Sequence, residues 1–257
     1  MGNQAATPSK VPSSRLLAVD VLRGLAVVAM IIFHAAWDMS SFGFLPSRMM
    51  FEPGWFWFGN IILFSFLAIS GFSMSWGWRK RFDSRSVMIR FFKIAAGAAA
   101  ITISTYLVVP DTFVYFGVLH HIALGSLILV LLRRVPSIIV IFPAVLLAVL
   151  PFLVRLNSFN APWLCWIGLS EVVPPSNDFV PLLPWFPIML AGSVLGRWAP
   201  EEGTRKFTTL GSFANWFSPF AWVGRHSFLI YLLHQPVIWG GLYLWSRLQP
   251  VTEAAPL

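Results

Sequence analysis

Residues 19–38 read VDVLRGLAVVAMIIFHAAWD, and this stretch decides the fold. It is apolar along most of its length, yet it carries four ionisable side chains: Asp20, Arg23, His34 and Asp38. About 20 apolar residues cover the hydrocarbon core of a bilayer as a helix. Ionisable groups inside such a span are costly and mark function by default. At 3.6 residues per turn, Arg23 to His34 is close to three turns and Asp20 to Asp38 is five. All four therefore project along one stripe, with Met30 between them. His34 lies ~16 Å beyond Arg23 along the helix axis. One such residue alone is as readily a satisfied interfacial group as a functional one. Four on one stripe point to a polar, lined cavity.

The rest of the 257-residue chain has the same character. It is 57% hydrophobic, 16% aromatic and only 11% charged, with a mean hydropathy of +0.74. Soluble domains carry roughly 25% charged residues. There is too little polar surface here to cover a water-soluble globule, which leaves a polytopic membrane protein as the expectation. The net charge of +8 does not call for nucleic acid, because the 18 Lys and Arg fall mostly in short segments between apolar runs. The single cysteine, Cys165, excludes an intrachain disulfide and a cysteine metal cluster, and reads as a small buried hydrophobe. No cleavable signal peptide is expected, since the first apolar run is late and contains charges.

On a 20-residue ruler the sequence predicts an all-α bundle of about seven spans. These are Leu16 to Trp37, Trp55 to Trp76, Met88 to Val109, Phe113 to Leu132, Ser137 to Val154, Pro181 to Trp198 and Val223 to Trp245. Residues 16–247 form one transmembrane domain between loose tails at 1–15 and 248–257. Residues 38–54 and 155–180 are external loops, the second able to hold a short interfacial helix. Fourteen basic residues gather on one side: Lys10 and Arg15; Arg79, Lys80, Arg81, Arg85, Arg90 and Lys93; Arg133 and Arg134; Arg197, Arg205, Lys206 and Arg225. Arg48, Arg155 and Arg247 lie on the other side, and Arg23 is inside a span. This asymmetry places the N-terminus in the cytoplasm.

Other polar residues fit the same map. His120 and His121 sit roughly two turns into the fourth span, His234 near the middle of the last one beside Gln235 and Pro236, Asn60 near the external end of the second, and Asp178 just before Pro181. His34, His120, Asp178 and Asn60 are expected to converge in the external half, with Arg23 and the basic loops in the cytoplasmic half. That polarity suits an anionic ligand entering from inside and chemistry further out. No metal is expected, because the five histidines show no HxxxH or HxH spacing. No GxSxG nucleophile elbow occurs. Gly192 and Gly196 form a GxxxG expected to serve close helix packing.

Read together, these stretches resemble the transmembrane acyltransferase superfamily, whose opening helix has an Arg followed after ten residues by a His. The details resemble one branch, the heparan-α-glucosaminide N-acetyltransferase catalytic-domain family. VDVLRGLAVVAMIIFHAAWD is similar to its first helix, FGVLHHIAL at 116–124 to its Gly-Leu-His element, and DFVPLLPWFPIMLAGSVLGR at 178–197 to its Asp-plus-Pro-Leu-x-Pro-Trp element. GRHSFLIYLLHQPVI at 224–238 is similar to the superfamily's last helix. The resemblance runs from about residue 15 to 245, in order.

It implies acetyl-CoA as donor substrate from the cytoplasm and a sugar or glycan acceptor, through an amine or hydroxyl, from outside. His34 would be the catalytic histidine, with Asp38 at i+4 able to orient its ring. Arg23 and Asp20 would lie on the donor path, while His120, Asp178 and Asn60 would line the acceptor side. At 257 residues the sequence is expected to do without the large luminal domain and extra helices of eukaryotic members. That implies a compact bacterial form in the cytoplasmic (inner) membrane, for which heparan sulfate is not a necessary acceptor, and oligomer formation is left open. Physical chemistry agrees with this reading. Arg binds phosphate bidentately, Arg79, Lys80, Arg81 and Arg85 add attraction for the donor, and a neutral histidine is a suitable general base worth roughly 10²–10⁴-fold. An acetyl-histidine route is the alternative. No second base is evident beside His34 in the sequence, which favours direct transfer. The competing function is a transporter or proton-coupled carrier using the same stripe. Against it stands the absence of an internal repeat or paired broken helices.

Overall fold

The computed structural model describes residues 16–79, 82–200 and 216–248, and the chain is all-α. Eight α-helices are present among the described residues: α1 (Leu17–Ser41), α2 (Pro53–Trp78), α3 (Ser84–Val108), α4 (Val118–Leu131), α5 (Ser137–Leu153), α6 (Leu182–Trp198), α7 (Ser218–Arg225) and α8 (Ser227–Leu248). Four of them, α1, α2, α3 and α8, are long and apolar enough to cross a membrane by length and composition. Helix α5 is apolar but shorter. Each stretch expected to form a span contains a helix. Residues 1–15, 80–81, 201–215 and 249–257, and with them Lys10, Arg15, Lys80, Arg81, Arg205 and Lys206, lie outside the described residues.

Helix packing follows from small residues placed where backbones meet. On α6, Gly192 and Gly196 lie against the backbone of Ala68 and Phe72 on α2, and Gly71 on α2 lies against the carbonyl of Met189. A methyl group at any of the three would collide with main chain, so the GxxxG does serve close packing. Beneath this seam lies the larger apolar core, built on Leu67, Leu129 and Met189, all fully buried. A second core joins α1, α2 and α8 through Val27, Met30 and Ile62 with Ile230 and Tyr231. Outward, Leu107, Phe142 and Leu244 are exposed, as suits helices facing hydrocarbon.

Two expectations need correction. The fourth span begins later than Phe113. Residues around Phe116 are extended and pair in parallel with Phe179, so α4 starts at Val118 and has 14 residues. At 1.5 Å per residue it is only ~21 Å long, short of a ~30 Å hydrocarbon core. The segment before α6 is laced to this start by Val180 N–H donating to the Phe116 carbonyl (2.8 Å) and Asn177 N–H to that of Thr112 (2.9 Å). The last span is also not one helix. It breaks at His226 (φ −100°, ψ 11°) into α7 and α8. Helix α7 sits tightly on α1 because Gly24 meets the Phe220 carbonyl and Gly224 meets the Asp20 carbonyl. The loop at 155–180 holds two 3₁₀ turns, Asn157–Asn160 and Cys165–Ile167, and Cys165 is buried as expected.

Candidate active site

The stripe on α1 divides into two sites, joined through α8. At its lower end, Asp20 and Arg23 stand one turn apart, and Arg23 Nη1 donates to Asp20 Oδ1 at 3.0 Å. Arg23 Nη2 donates to Ser73 Oγ on α2 at 2.8 Å. From α3, Arg90 Nη2 donates to Ser70 Oγ at 3.2 Å, one turn from Ser73. These groups line an open cavity of ≈ 420 Å³ bordered by α1, α2, α3, α4, α7 and α8. Lys93 and Arg225 complete its charged wall, Lys93 with Nζ 4.9 Å from the centre of the Phe228 ring. Four cations therefore face one carboxylate, Asp20, which is buried and engaged by Arg23. The chemistry of this wall suits a phosphate-bearing ligand. The inner end is apolar, formed by Phe66, Val118, Leu119, Ile122 and the ring of Tyr231.

Tyr231 connects this cavity to the upper site. Its carbonyl accepts from His234 Nδ1–H at 2.7 Å, and its hydroxyl hydrogen-bonds Asp178. With Nδ1 used in this way, His234 Nε2 is a bare acceptor, buried and without a partner among the described residues. The His234 ring centre is 5.0 Å from that of His34. No hydrogen bond ties the His34 ring among the described residues, and Phe33 meets it edge-on at 5.6 Å. A second base does stand beside His34, which corrects the reading made from sequence and removes the ground on which that reading favoured direct transfer. The facing helices match in a second pair: Asp38, one turn beyond His34, hydrogen-bonds Gln235, the residue after His234. Asp38 Oδ2 and Gln235 Oε1 remain buried without partners among the described residues.

The other expected site residues fall elsewhere. Asp178 caps the start of α4, with Oδ2 accepting from Val118 N–H at 3.0 Å, and a side chain at Gly117 would overlap its carboxylate. Burial pushes the Asp178 carboxyl above the usual carboxylate range, opposed by the hydrogen bonds from Val118 and Tyr231. His120 belongs to the same turn. Its Nδ1 accepts from Gly117 N–H (3.2 Å), so Nε2–H faces Thr102 Oγ1 (3.2 Å), whose own proton goes to the Val114 carbonyl (2.8 Å). His121, fully buried, points the other way, with Nδ1 3.2 Å from the carbonyls of Val180 and Pro181. Asn60 Nδ2 donates to the Phe56 carbonyl of its own helix at 2.8 Å, and no described contact joins it to the histidines. Arg79 does not line the large cavity, and neither does Arg85.

Sequence reasoning left Arg90, Ser70, Ser73, Tyr231, His234 and Gln235 without a role. For His234 the signal was present, since it is an ionisable residue in a span. Arg90 was counted with the basic loop because nothing local distinguishes a topogenic arginine from one turned into a cavity. Comparison with known families bears on all of this. Residues 15–236 match the family model described as heparan-alpha-glucosaminide N-acetyltransferase, catalytic. The chain belongs to that family, and it is a membrane acetyltransferase in general character. No curated protein and no solved structure matches it.

Proposed function

We propose that this member of an acetyltransferase family moves an acetyl group from cytoplasmic acetyl-CoA to an amine or hydroxyl of a sugar or glycan on the external face of a bacterial inner membrane. The observation that carries the reading is the joining of a four-cation cavity, through Tyr231, to a facing pair of histidines. The basic helix ends lie in the cytoplasm on this reading. The donor's phosphates rest against Arg23, Arg90, Lys93 and Arg225, and its acyl arm runs along the apolar inner end toward α8.

In the reaction the acceptor nitrogen or oxygen attacks the thioester carbonyl carbon. The new C–N or C–O bond forms, the C–S bond breaks, and His34 takes the acceptor's proton and returns it to the departing thiolate. His34 is the catalytic base on this reading, a role worth roughly 10²–10⁴-fold. His234, its Nδ1–H held by the Tyr231 carbonyl, offers Nε2 as acceptor to one His34 nitrogen and leaves the other for the substrate. Asp38 and Gln235 brace the same pair of helices. Asp20 keeps Arg23 turned into the cavity. Asp178 and His120 shape the wall where the acceptor enters, and Asn60 lies at its margin.

The test is acetyl-CoA binding to the detergent-purified protein, read as thermal stabilisation, followed by transfer of labelled acetyl to a panel of amino sugars and sugar alcohols. Stabilisation in wild type that Arg23→Ala loses, with transfer to at least one acceptor, is the expected result. A folded protein that no concentration of acetyl-CoA stabilises would move the assignment to a carrier.

A further inference from the structure

A second, smaller cavity of ≈ 280 Å³ lies on the opposite face of α2 from the first and shares no lining residue with it. Arg79 from the end of α2, Arg133 and Arg134 from the turn between α4 and α5, and Arg197 from the end of α6 converge on it, with Trp78 and Phe82 as apolar walls. No carboxylate lines it among the described residues. Four arginines thus border one small space, where a bound anion would gain from all of them.

Three of the four arginines are anchored but not saturated. Arg197 donates to the carbonyls of Val135 (2.7 Å) and Leu132 (2.9 Å), Arg133 to that of Val130 (3.5 Å), and Arg79 to that of Ala199. Arg133 also stacks on Phe82, 4.1 Å from the ring centre. Each guanidinium has five N–H donors, so most remain for a ligand. The surroundings say what kind of anion fits. Leu131, Leu195 and Trp198 adjoin the lining arginines along the chain and are 78%, 60% and 59% exposed. Ile138 and Phe142 extend this apolar surface along α5 at 73% and 78%. A phosphate group among the arginines would thus have hydrocarbon chains against α5 and α6.

We infer that this cavity holds the phosphodiester headgroup of an anionic membrane lipid. Basic pockets between helices on the cytoplasmic side are suited to such headgroups. The site shares no lining residue with the proposed donor cavity, and it is linked to that cavity's wall through Arg79, which lies 4.9 Å from the centre of the Trp76 ring. Its occupant ties the end of α2 to the α4–α5 turn and to α6, the helices whose close packing forms the main core.

The experiment is native mass spectrometry and thermal unfolding of the full chain in a neutral detergent, with phosphatidylglycerol, phosphatidylcholine or inorganic phosphate added. The variants are the double substitution Arg133→Gln/Arg134→Gln, Arg79→Gln, and Arg23→Ala. Phosphatidylglycerol should form retained adducts and raise the melting temperature, while phosphatidylcholine does neither. The double variant should weaken binding on the order of tenfold or more, and Arg79→Gln less. Arg23→Ala should bind the lipid as wild type does even where it loses acetyl-CoA, so failure here is distinguishable from failure of the proposed activity. Equal binding of both lipids would overturn the inference, and so would undiminished binding in folded Arg79→Gln and the double variant. Stabilisation by inorganic phosphate without lipid retention would assign the arginines to a free anion and likewise reject a lipid site.

Discussion

The two ends of the α1 stripe use the same expensive ingredient, polar side chains inside an apolar bundle, in opposite ways. Around Arg23 the groups are charged, unequal in sign and arranged about an open space, four cations to one carboxylate. Around His34 they are closely packed against each other, His34 on His234 and Asp38 on Gln235. Excess charge about a cavity is a device for holding something of the opposite sign. Close pairs of titratable and amide groups are a device for moving and positioning protons. The two arrangements are separated along one helix by ~16 Å, and on the proposed reading, which gives binding to the one and chemistry to the other, they should fail separately.

Substituting His34→Ala should produce the largest effect: transfer falls roughly 10²–10⁴-fold while donor affinity stays within a factor of a few. Steady-state rates and acetyl-CoA titrations on one preparation measure both, and a parallel loss of affinity would merge the two regions into one. Next, Arg23→Ala and Arg90→Ala should each weaken donor binding roughly 10- to 100-fold, the loss expected of a charge-assisted hydrogen bond. Turnover at saturating donor should hold, and a fall in that turnover instead would place these arginines in the chemical step. Tyr231→Phe probes the joint between the regions. It removes the hydroxyl partner of half-buried Asp178 and should cost about 1–3 kcal/mol of stability, read by denaturant or thermal unfolding. The backbone bond to His234 is kept, so activity per folded molecule should change little. Smallest of all, Ser73→Ala removes a neutral partner of Arg23 and should weaken donor binding by about 0.5–1.5 kcal/mol in a calorimetric titration.

Much of this was legible because the relevant information is local to a helix. Asp20, Arg23, His34 and Asp38 share a stripe whatever the rest of the chain does, and glycines four apart on α6 announce close packing. The remainder depends on how helices are turned toward one another. Nothing near Arg90 tells that α3 rotates it into the cavity and toward Ser70. His234 gains meaning only because α8 brings it to His34, and Asp178 only because the extended pairing of Phe116 with Phe179 carries it to the start of α4. The shortened α4 and the divided last helix escaped a 20-residue ruler because both stretches are apolar enough to be read as full spans. Hydropathy registers composition and does not register a change of direction.

The break at His226 has one more consequence. Because α8 begins at Ser227, beside the cavity rather than at the edge of the bundle, Ser227 and Phe228 lie on the cavity wall. The first-turn N–H groups of a helix carry roughly half a positive elementary charge, fixed in the backbone. That half-charge cannot be titrated or removed by side-chain substitution. The C-terminal carbonyls of α7 carry the opposite partial charge one residue away, so two helix poles meet at this wall and the side chains of Arg23, Arg90, Lys93 and Arg225 set its net sign.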